Sequence, residues 1–455
     1  MPYVFNRYTN LIEHTALPQG QLDREDPHLY RDQFPYTEIP KVAFNYMSVP
    51  MDMPEEIWIT DTTFRDGQQS REPYTVEQIL HIFKCLHRLS GPKGKIRQSE
   101  FFLYSKRDRE AVYKCLELGY EFPEITGWIR ATKKDFELVK EVGLKETGIL
   151  VSCSDYHIFH QMKMNRRQAL GHYIAIVREC IETGVKPRCH LEDITRADFY
   201  GFVVPFVREL MKLSKETGVP VKIRACDTMG FGVTFPGTVM PRCVQGIIHN
   251  LIHHGGVPHE MIEWHGHNDF YRAVSNASYA WLYGASAINA SLFGIGERTG
   301  NTPLEAMVFE YAQLRGTLDG MDPHIITELA RYFEDEIGYV IPPMTPFVGK
   351  NFNVTRAGIH ADGLLKNEEI YNAFDTTKIL NRPWKIIISN TSGLAGIAHW
   401  LNDFYKKSEN DKFDKKDPLC LKIKDWVDAQ YEGGRVTSIT DEEMEALAKS
   451  YQQEN

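Results

Sequence analysis

Met261-Ile262-Glu263-Trp264-His265-Gly266-His267-Asn268-Asp269 is a short apolar-led run that ends in two histidines spaced i, i+2. Along a β-strand, residues two apart point to the same side. Both imidazoles therefore face one way at the end of the run. Read alone, such a pair is more often a surface feature, so the neighbouring segments decide. Two neutral imidazoles and one carboxylate, with positions left open, suit a catalytic divalent cation that also binds substrate. The candidate carboxylate is Asp66, far upstream in Asp61-Thr62-Thr63-Phe64-Arg65-Asp66-Gly67. That segment has the same build, a β-rich run (Ile57–Asp61) followed at once by charged groups.

Working outward, the same pattern recurs eight times. Strands are predicted at Ile57–Asp61, Gln98–Leu103, Glu124–Ile129, Gly148–Cys153, Pro187–Leu191, Val221–Cys226, Met261–Trp264 and Ala287–Leu292. Amphipathic stretches such as Val76–Leu89, Arg107–Leu118, Arg166–Thr183 and Asp198–Thr217 lie between them, the first opened by a Thr75/Gln78 capping box. Eight strands each followed by a helix predict an α/β fold, a closed (β/α)8 TIM barrel, with a doubly wound open sheet as the rival. Such barrels place reactive groups at strand C-termini. Arg65-Asp66, Arg130, Ser154–His157, Glu192-Asp193, Asp227-Thr228, the histidine pair and Gly294–Asn301 all fall there, and Glu100 lies within the second strand. Three regions are expected: an aromatic, proline-bearing N-terminal extension (1–55) that wraps over the main domain, the catalytic barrel (56–325), and a C-terminal, mainly helical accessory region (326–455).

The 455 residues carry a formal net charge of −9 and no polybasic segment, which argues against nucleic acid as a partner. No apolar run approaches a membrane span, and the first residues lack a signal-peptide pattern. The eight cysteines show no CxxC pairing, which fits reduced thiols in a cytoplasmic protein.

Four blocks resemble one family, the metal-dependent acyl-CoA Claisen-type synthases of the DRE-TIM superfamily. Its relatives include 2-isopropylmalate, homocitrate, citramalate and Re-citrate synthases and, more distantly, 3-hydroxy-3-methylglutaryl-CoA lyase. Residues 61–70 (DTTFRDGQQS) look like the family's DTTLRDGEQS, and 265–269 (HGHND) like its HxH(D/N)D. Residues 294–305 (GIGERTGNTPLE) are similar to GIGERAGNAxLE, and 356–363 (RAGIHADG) to KAGIHxxG. The resemblance covers about residues 56–400. It implies that Asp66, His265 and His267 ligate a divalent metal, Mn2+ or Co2+ ahead of Zn2+, Fe2+ or Mg2+, with Asn301 as a supporting polar group. It also implies that Arg65 sits over the keto oxygen. Gln69, Glu100, Arg130, His157, Glu192 and Thr228 fall at the family's substrate-pocket positions. His360 and Tyr371 match a catalytic pair that the accessory region extends into a neighbouring subunit's barrel, which implies a homodimer. Gln68, Arg71-Glu72 and Thr355 depart from the family's pattern; the metal triad does not.

A 2-oxo acid can chelate such a cation through its keto oxygen and carboxylate, and Arg65 can add positive charge where alkoxide develops. The lesser alternative for Arg65 is a salt bridge to Asp66 or Glu192. A base must take a proton from the methyl of acetyl-CoA, with His360 and Tyr371 the family-matched candidates and Glu192 the rival. The loop Ser291–Asn301 has no cysteine, against the lyase branch, and Ala225–Thr228 has no lysine, against the carboxyltransferase branch. The expected partner acid is dicarboxylic, oxaloacetate ahead of 2-oxoglutarate, with Arg130 and His157 offered for the far carboxylate. The rival from another class is a catalytically dead metal- or CoA-binding barrel, which intact Arg65, Asp66, Glu192 and His360 argue against. Cys226, beside Asp227, is a candidate point of oxygen sensitivity.

Overall fold

The computed structural model describes residues 3–6 and 11–14, 20–31, 33–34, 36–37, 42–45, 47–130 and 132–453. Within it the chain forms two compact units, Met1–Asp322 and Pro323–Asn455.

The first unit is built on eight parallel strands: β1 Trp58–Asp61, β2 Ile96–Phe102, β3 Glu124–Ile129, β4 Glu146–Ser152, β5 Lys186–Glu192, β6 Lys222–Asp227, β7 Ile262–Gly266 and β8 Ala287–Ala290. They close in sequence order, with β8 pairing back onto β1 through Ala287↔Trp58 to Ala290↔Asp61. Closure decides between the two architectures, because a doubly wound sheet keeps two open edges. All eight predicted strands form, each within two residues of its expected bounds. Most of their residues are buried, as strands covered on both faces require.

A helix follows each strand: α1 Val76–Ser90, α2 Lys106–Leu116, α3 Lys133–Val142, α4 Arg166–Glu182, α5 Val204–Thr217, α6 Val244–His253, α7 Ala273–Leu282 and α8 Leu304–Arg315. The Thr75 hydroxyl accepts from Gln78 N at 3.1 Å, and Gln78 Oε1 accepts from Thr75 N at 2.9 Å. This reciprocal pair satisfies two orphan donors and fixes where α1 starts. Apolar helix faces such as Ile79, Ile82, Phe83 and Leu86 pack outside the sheet.

Inside the barrel the layers are charged. Arg188 reaches Glu100 (2.9 Å), Glu146 (3.2 Å) and Glu263 (3.6 Å), while Arg224 reaches Glu263 (2.7 Å) and Glu100 (3.0 Å). Each of these residues is at most 3% exposed. Buried charges survive only when paired in this way.

The described part of the N-terminal segment is tied to loops that follow β4, β5 and β6. Gln21 N donates to Gly201 O (2.9 Å), His28 N to Asp155 Oδ2 (2.7 Å), and Val239 N to Ala43 O (3.0 Å). Arg166, fully buried, grips Asp155 through Nε (2.8 Å) and Nη2 (2.7 Å) and so holds the anchor for His28.

The second unit is mainly helical: α9 His324–Asp335, α10 Gly358–Lys366, α11 Leu394–Phe404, α12 Pro418–Glu432 and α13 Asp441–Gln453. A small parallel pair, Val354–Thr355 with Lys385–Ile386, joins them. Its own apolar core gathers Ile388, Ile397, Leu401, Ile423, Val427 and Met444.

Candidate metal centre

Directly after β1 the chain folds back on itself. The amides of Arg65, Asp66 and Gly67 all donate to Thr62 O (3.1, 2.9 and 3.1 Å), which opens a single helical turn, Asp66–Gln69. The turn sets the Asp66 carboxylate over the end of the barrel. His265 lies within β7, and His267 follows it, bridged to Asn301 of the loop after β8. Asn268 N donates to Gly300 O (2.9 Å) and Thr302 N to Gly266 O (3.1 Å), so two loops hold one another. Gly300 has φ +87°, and a Cβ there would stand 2.0 Å from Gly294 O. Only glycine lets this loop close so tightly.

Three ligand-type atoms then converge. His265 Nε2 and His267 Nε2 lie 3.4 and 3.8 Å from Asp66 Oδ2 and 3.3 Å from each other. All three residues are buried. The surrounding hydrogen bonds fix which ring nitrogen of His265 is bare. Asn289 Nδ2 donates to Thr60 Oγ1 (2.9 Å), which turns its Oδ1 toward His265 Nδ1 at 2.8 Å. The Nδ1 proton is thereby committed, and the Nε2 lone pair faces the carboxylate. Asn301 Nδ2 donates to Asp66 Oδ2 at 2.7 Å, leaving its own Oδ1 buried without a partner.

Electrostatics agree with a ligand set. Burial opposes ionisation of Asp66, but Arg65, His265, His267 and Asn301 together hold its carboxyl well below the ordinary range. Burial pushes His265 down, and burial with the His265 charge pushes His267 down to about 4. At neutral pH the cluster is thus two neutral imidazoles and one carboxylate, the forms that coordinate a cation. Both Nε2 atoms and the Asp66 carboxylate oxygen face one point, and the Asn301 amide oxygen beside them is buried without a partner. The donors fit a divalent metal.

The structure brings most of the candidates from the sequence to one pocket. Arg65, Gln69, Glu192 and Thr228 line it together with the triad. Arg65 is buried, with Nη1 on Asp66 Oδ1 at 2.9 Å and its guanidinium 4.3 Å from the Trp128 ring centre. The salt bridge weighed from sequence therefore exists, and it is to Asp66. His157 Nδ1 stands 3.5 Å from Glu192 Oε2, which also accepts from the Ser152 hydroxyl. Glu100 lies beneath the pocket, tied to Arg188 and Arg224. His360 and Tyr371 stand side by side on the second unit, ring centres 4.3 Å apart and both exposed.

Arg130 is not drawn into the pocket. It follows the last residue of β3 with its side chain 69% exposed, 4.0 Å from Asp135 and 4.9 Å over the Tyr104 ring. A position just past a strand end does not by itself turn a side chain inward. Cys226 does line the pocket, but burial pushes its thiol, like that of Cys153, well above the usual value. Few thiolates form there at neutral pH, which weakens its case as a point of oxidation.

Trp128, His190, Arg224 and Arg298 also line the pocket and were not singled out from sequence. The signal was present for two of them. Arg188-x-His190-x-Glu192 and Arg224-x-Cys226 have the same i, i+2 spacing as the histidine pair, so they share the inward face.

The HMGL-like family profile matches residues 56–332. A citrate (Re)-synthase of Clostridium kluyveri is 61% identical over 93% of this chain and 93% of its own length. One from Syntrophus aciditrophicus is 54% identical over 97% of this chain and 70% of its own. A 2-phosphinomethylmalate synthase of Streptomyces hygroscopicus is 34% identical over 93% and 96% respectively. With the profile spanning the whole barrel and similarity running almost the length of the chain, this protein belongs to the HMGL-like family.

Proposed function

We propose that the protein condenses acetyl-CoA with oxaloacetate and hydrolyses the resulting thioester, releasing citrate and CoA with the stereochemistry of a citrate (Re)-synthase. The observation that carries this reading is the convergence of Asp66, His265 and His267 under the Arg65 guanidinium. Similarity to the two citrate (Re)-synthases supports the choice of acid. A divalent cation held by Asp66, His265 and His267, Mn2+ or Co2+ by preference, supplies Lewis acidity toward the keto group when bound.

The chain's own groups do the rest. Arg65, braced on Trp128, holds a permanent positive charge where alkoxide develops on the former keto oxygen. His360, with Tyr371 against it, takes a proton from the acetyl methyl carbon, and the new C–C bond forms at the keto carbon. Glu192, accepting from Ser152 and facing His157, takes a proton from the water that adds to the thioester. The C–S bond then breaks and CoA leaves as the thiol with the proton that Glu192 took from water, while the proton taken by His360 is returned to the alkoxide. We assign the protein to a homodimer in which the second unit of each subunit serves the other's barrel. No helix among the described residues is long and apolar enough to cross a membrane. With eight free, buried cysteines we assign it to the cytoplasm.

A thiol-release assay with acetyl-CoA, Mn2+ or Co2+ and a panel of 2-oxo acids tests this directly. Oxaloacetate should be preferred and citrate should appear. Preference for 2-oxoglutarate would move the reaction to homocitrate formation. CoA release with none of the acids would leave a binding protein.

A further inference from the structure

The proposed reaction leaves the groups under the metal ligands without a task. β6 carries Arg224 two residues before Cys226, and β5 carries His190 two before Glu192. Register pairs His190 with Arg224 and Arg224 with Glu263, one layer deeper than the Cys226–His265 pair. Both Arg224 and His190 nonetheless reach the pocket lining, and they are 1% and 2% exposed.

Their hydrogen bonding is incomplete. Arg224 donates Nε to Glu263 Oε2 (2.7 Å) and Nη1 to Glu100 Oε2 (3.0 Å), while Nη2 is buried with no partner. His190 Nε2 stands 3.4 Å from Glu100 Oε1 without making a hydrogen bond. A buried guanidinium donor without an acceptor is costly, and one that borders an open pocket awaits an anion from it. Arg130, the cation that sequence offered for this task, is exposed and paired with Asp135.

We infer that Arg224 Nη2, with His190 beside it, receives the second carboxylate of the 2-oxo diacid and so determines substrate specificity. This rests on the condensation reading above. A planar guanidinium suits a carboxylate better than an ammonium does. Arg224 is pinned at two nitrogens by Glu263 and Glu100, so the fork cannot withdraw to admit a longer acid. His190 is equally confined: a Cβ on Gly148 of β4 would lie 2.5 Å from its Nε2. The fixed depth selects a short diacid. A monocarboxylic 2-oxo acid such as pyruvate leaves Nη2 unpaired, and sites built around such a bond reject analogues that lack it.

The test uses the full chain loaded with Mn2+, comparing wild type with Arg224→Lys and His190→Asn. Calorimetry measures oxaloacetate and pyruvate binding, steady-state kinetics give KM and kcat, and thermal melts report folding. Arg224→Lys keeps the charge but loses the fork. Its affinity for oxaloacetate should fall roughly tenfold or more, pyruvate affinity should move far less, and KM should rise more than kcat falls. His190→Asn should show the same selective loss to a smaller degree, and it decides the matter should Arg224→Lys fail to fold. Equal losses for both acids, or no loss for either, overturn the assignment. Wild type that binds oxaloacetate selectively but makes no citrate would sink the condensation alone. Citrate formation with the binding ratio unchanged in the folded variants would sink the selector alone.

Discussion

Asn289 acts on the proposed metal centre through His265. By accepting from His265 Nδ1 at 2.8 Å it holds the ring in one tautomer and one orientation. Partners of this kind typically govern metal affinity by 10–100-fold (an order-of-magnitude range). Asn289→Leu should therefore weaken Mn2+ binding roughly tenfold or more, read by competition with a chelator; unchanged affinity would remove Asn289 from this role. Glu305 at the start of α8 makes a different prediction. Burial pushes its carboxyl up to about 7, with Phe293 N donating to Oε2 at 2.9 Å. The folded state then binds this proton more tightly than the unfolded chain, whose value is near 4.5. The associated stability is present in full below about pH 4.5 and is lost as pH rises through about 7, a swing of about 3 kcal/mol. Glu305→Gln should flatten that slope in urea titrations across pH 5 to 8, whereas parallel wild-type and variant profiles would refute it. At this scale the sequence was legible where chemistry repeats at strand spacing, as in His265 and His267. Asn289 was hidden, because an asparagine inside Ala-Ile-Asn-Ala carries no mark of the histidine it faces.

The barrel strands were legible because short β-rich runs recur with longer helical stretches between them. α7 was harder: Ala273–Leu282 scatters Ser275, Asn276 and Ser278 among small apolar residues, so the helical period is weakly marked. The polar layer inside the strands was harder still. Glu100, Arg188, Arg224 and Glu263 read as breaks in apolar runs, yet they neutralise one another inside the closed sheet. Such ion pairs contribute little net stability but are costly to break on one side. Arg188→Met should destabilise the fold by about 3–5 kcal/mol, by leaving Glu100, Glu146 and Glu263 short of a cation. A denaturation midpoint equal to wild type would show that the glutamates find other partners or accept protons. Thr75→Ala, which removes the cap of α1, should cost only about 1 kcal/mol.

For the whole molecule, the role proposed for His360 came from motif resemblance, since no spacing in the barrel points to it. The proposed homodimer makes a sharp prediction. Arg65→Ala disables the barrel and His360→Ala disables the second unit, so each alone should be nearly inactive. Mixed and allowed to exchange subunits, the two should recover activity toward one quarter of wild type if each barrel uses the other subunit's histidine and mixing is random. Recovery that never exceeds the sum of the separate variants would put the pair in the same chain as its barrel, or remove it from the reaction. The segment near the start of the chain bears on handling the protein. Gln21, His28 and Ala43 lace the loops that rim the strand C-termini. A protease nick between residues 20 and 45 would therefore slacken that rim.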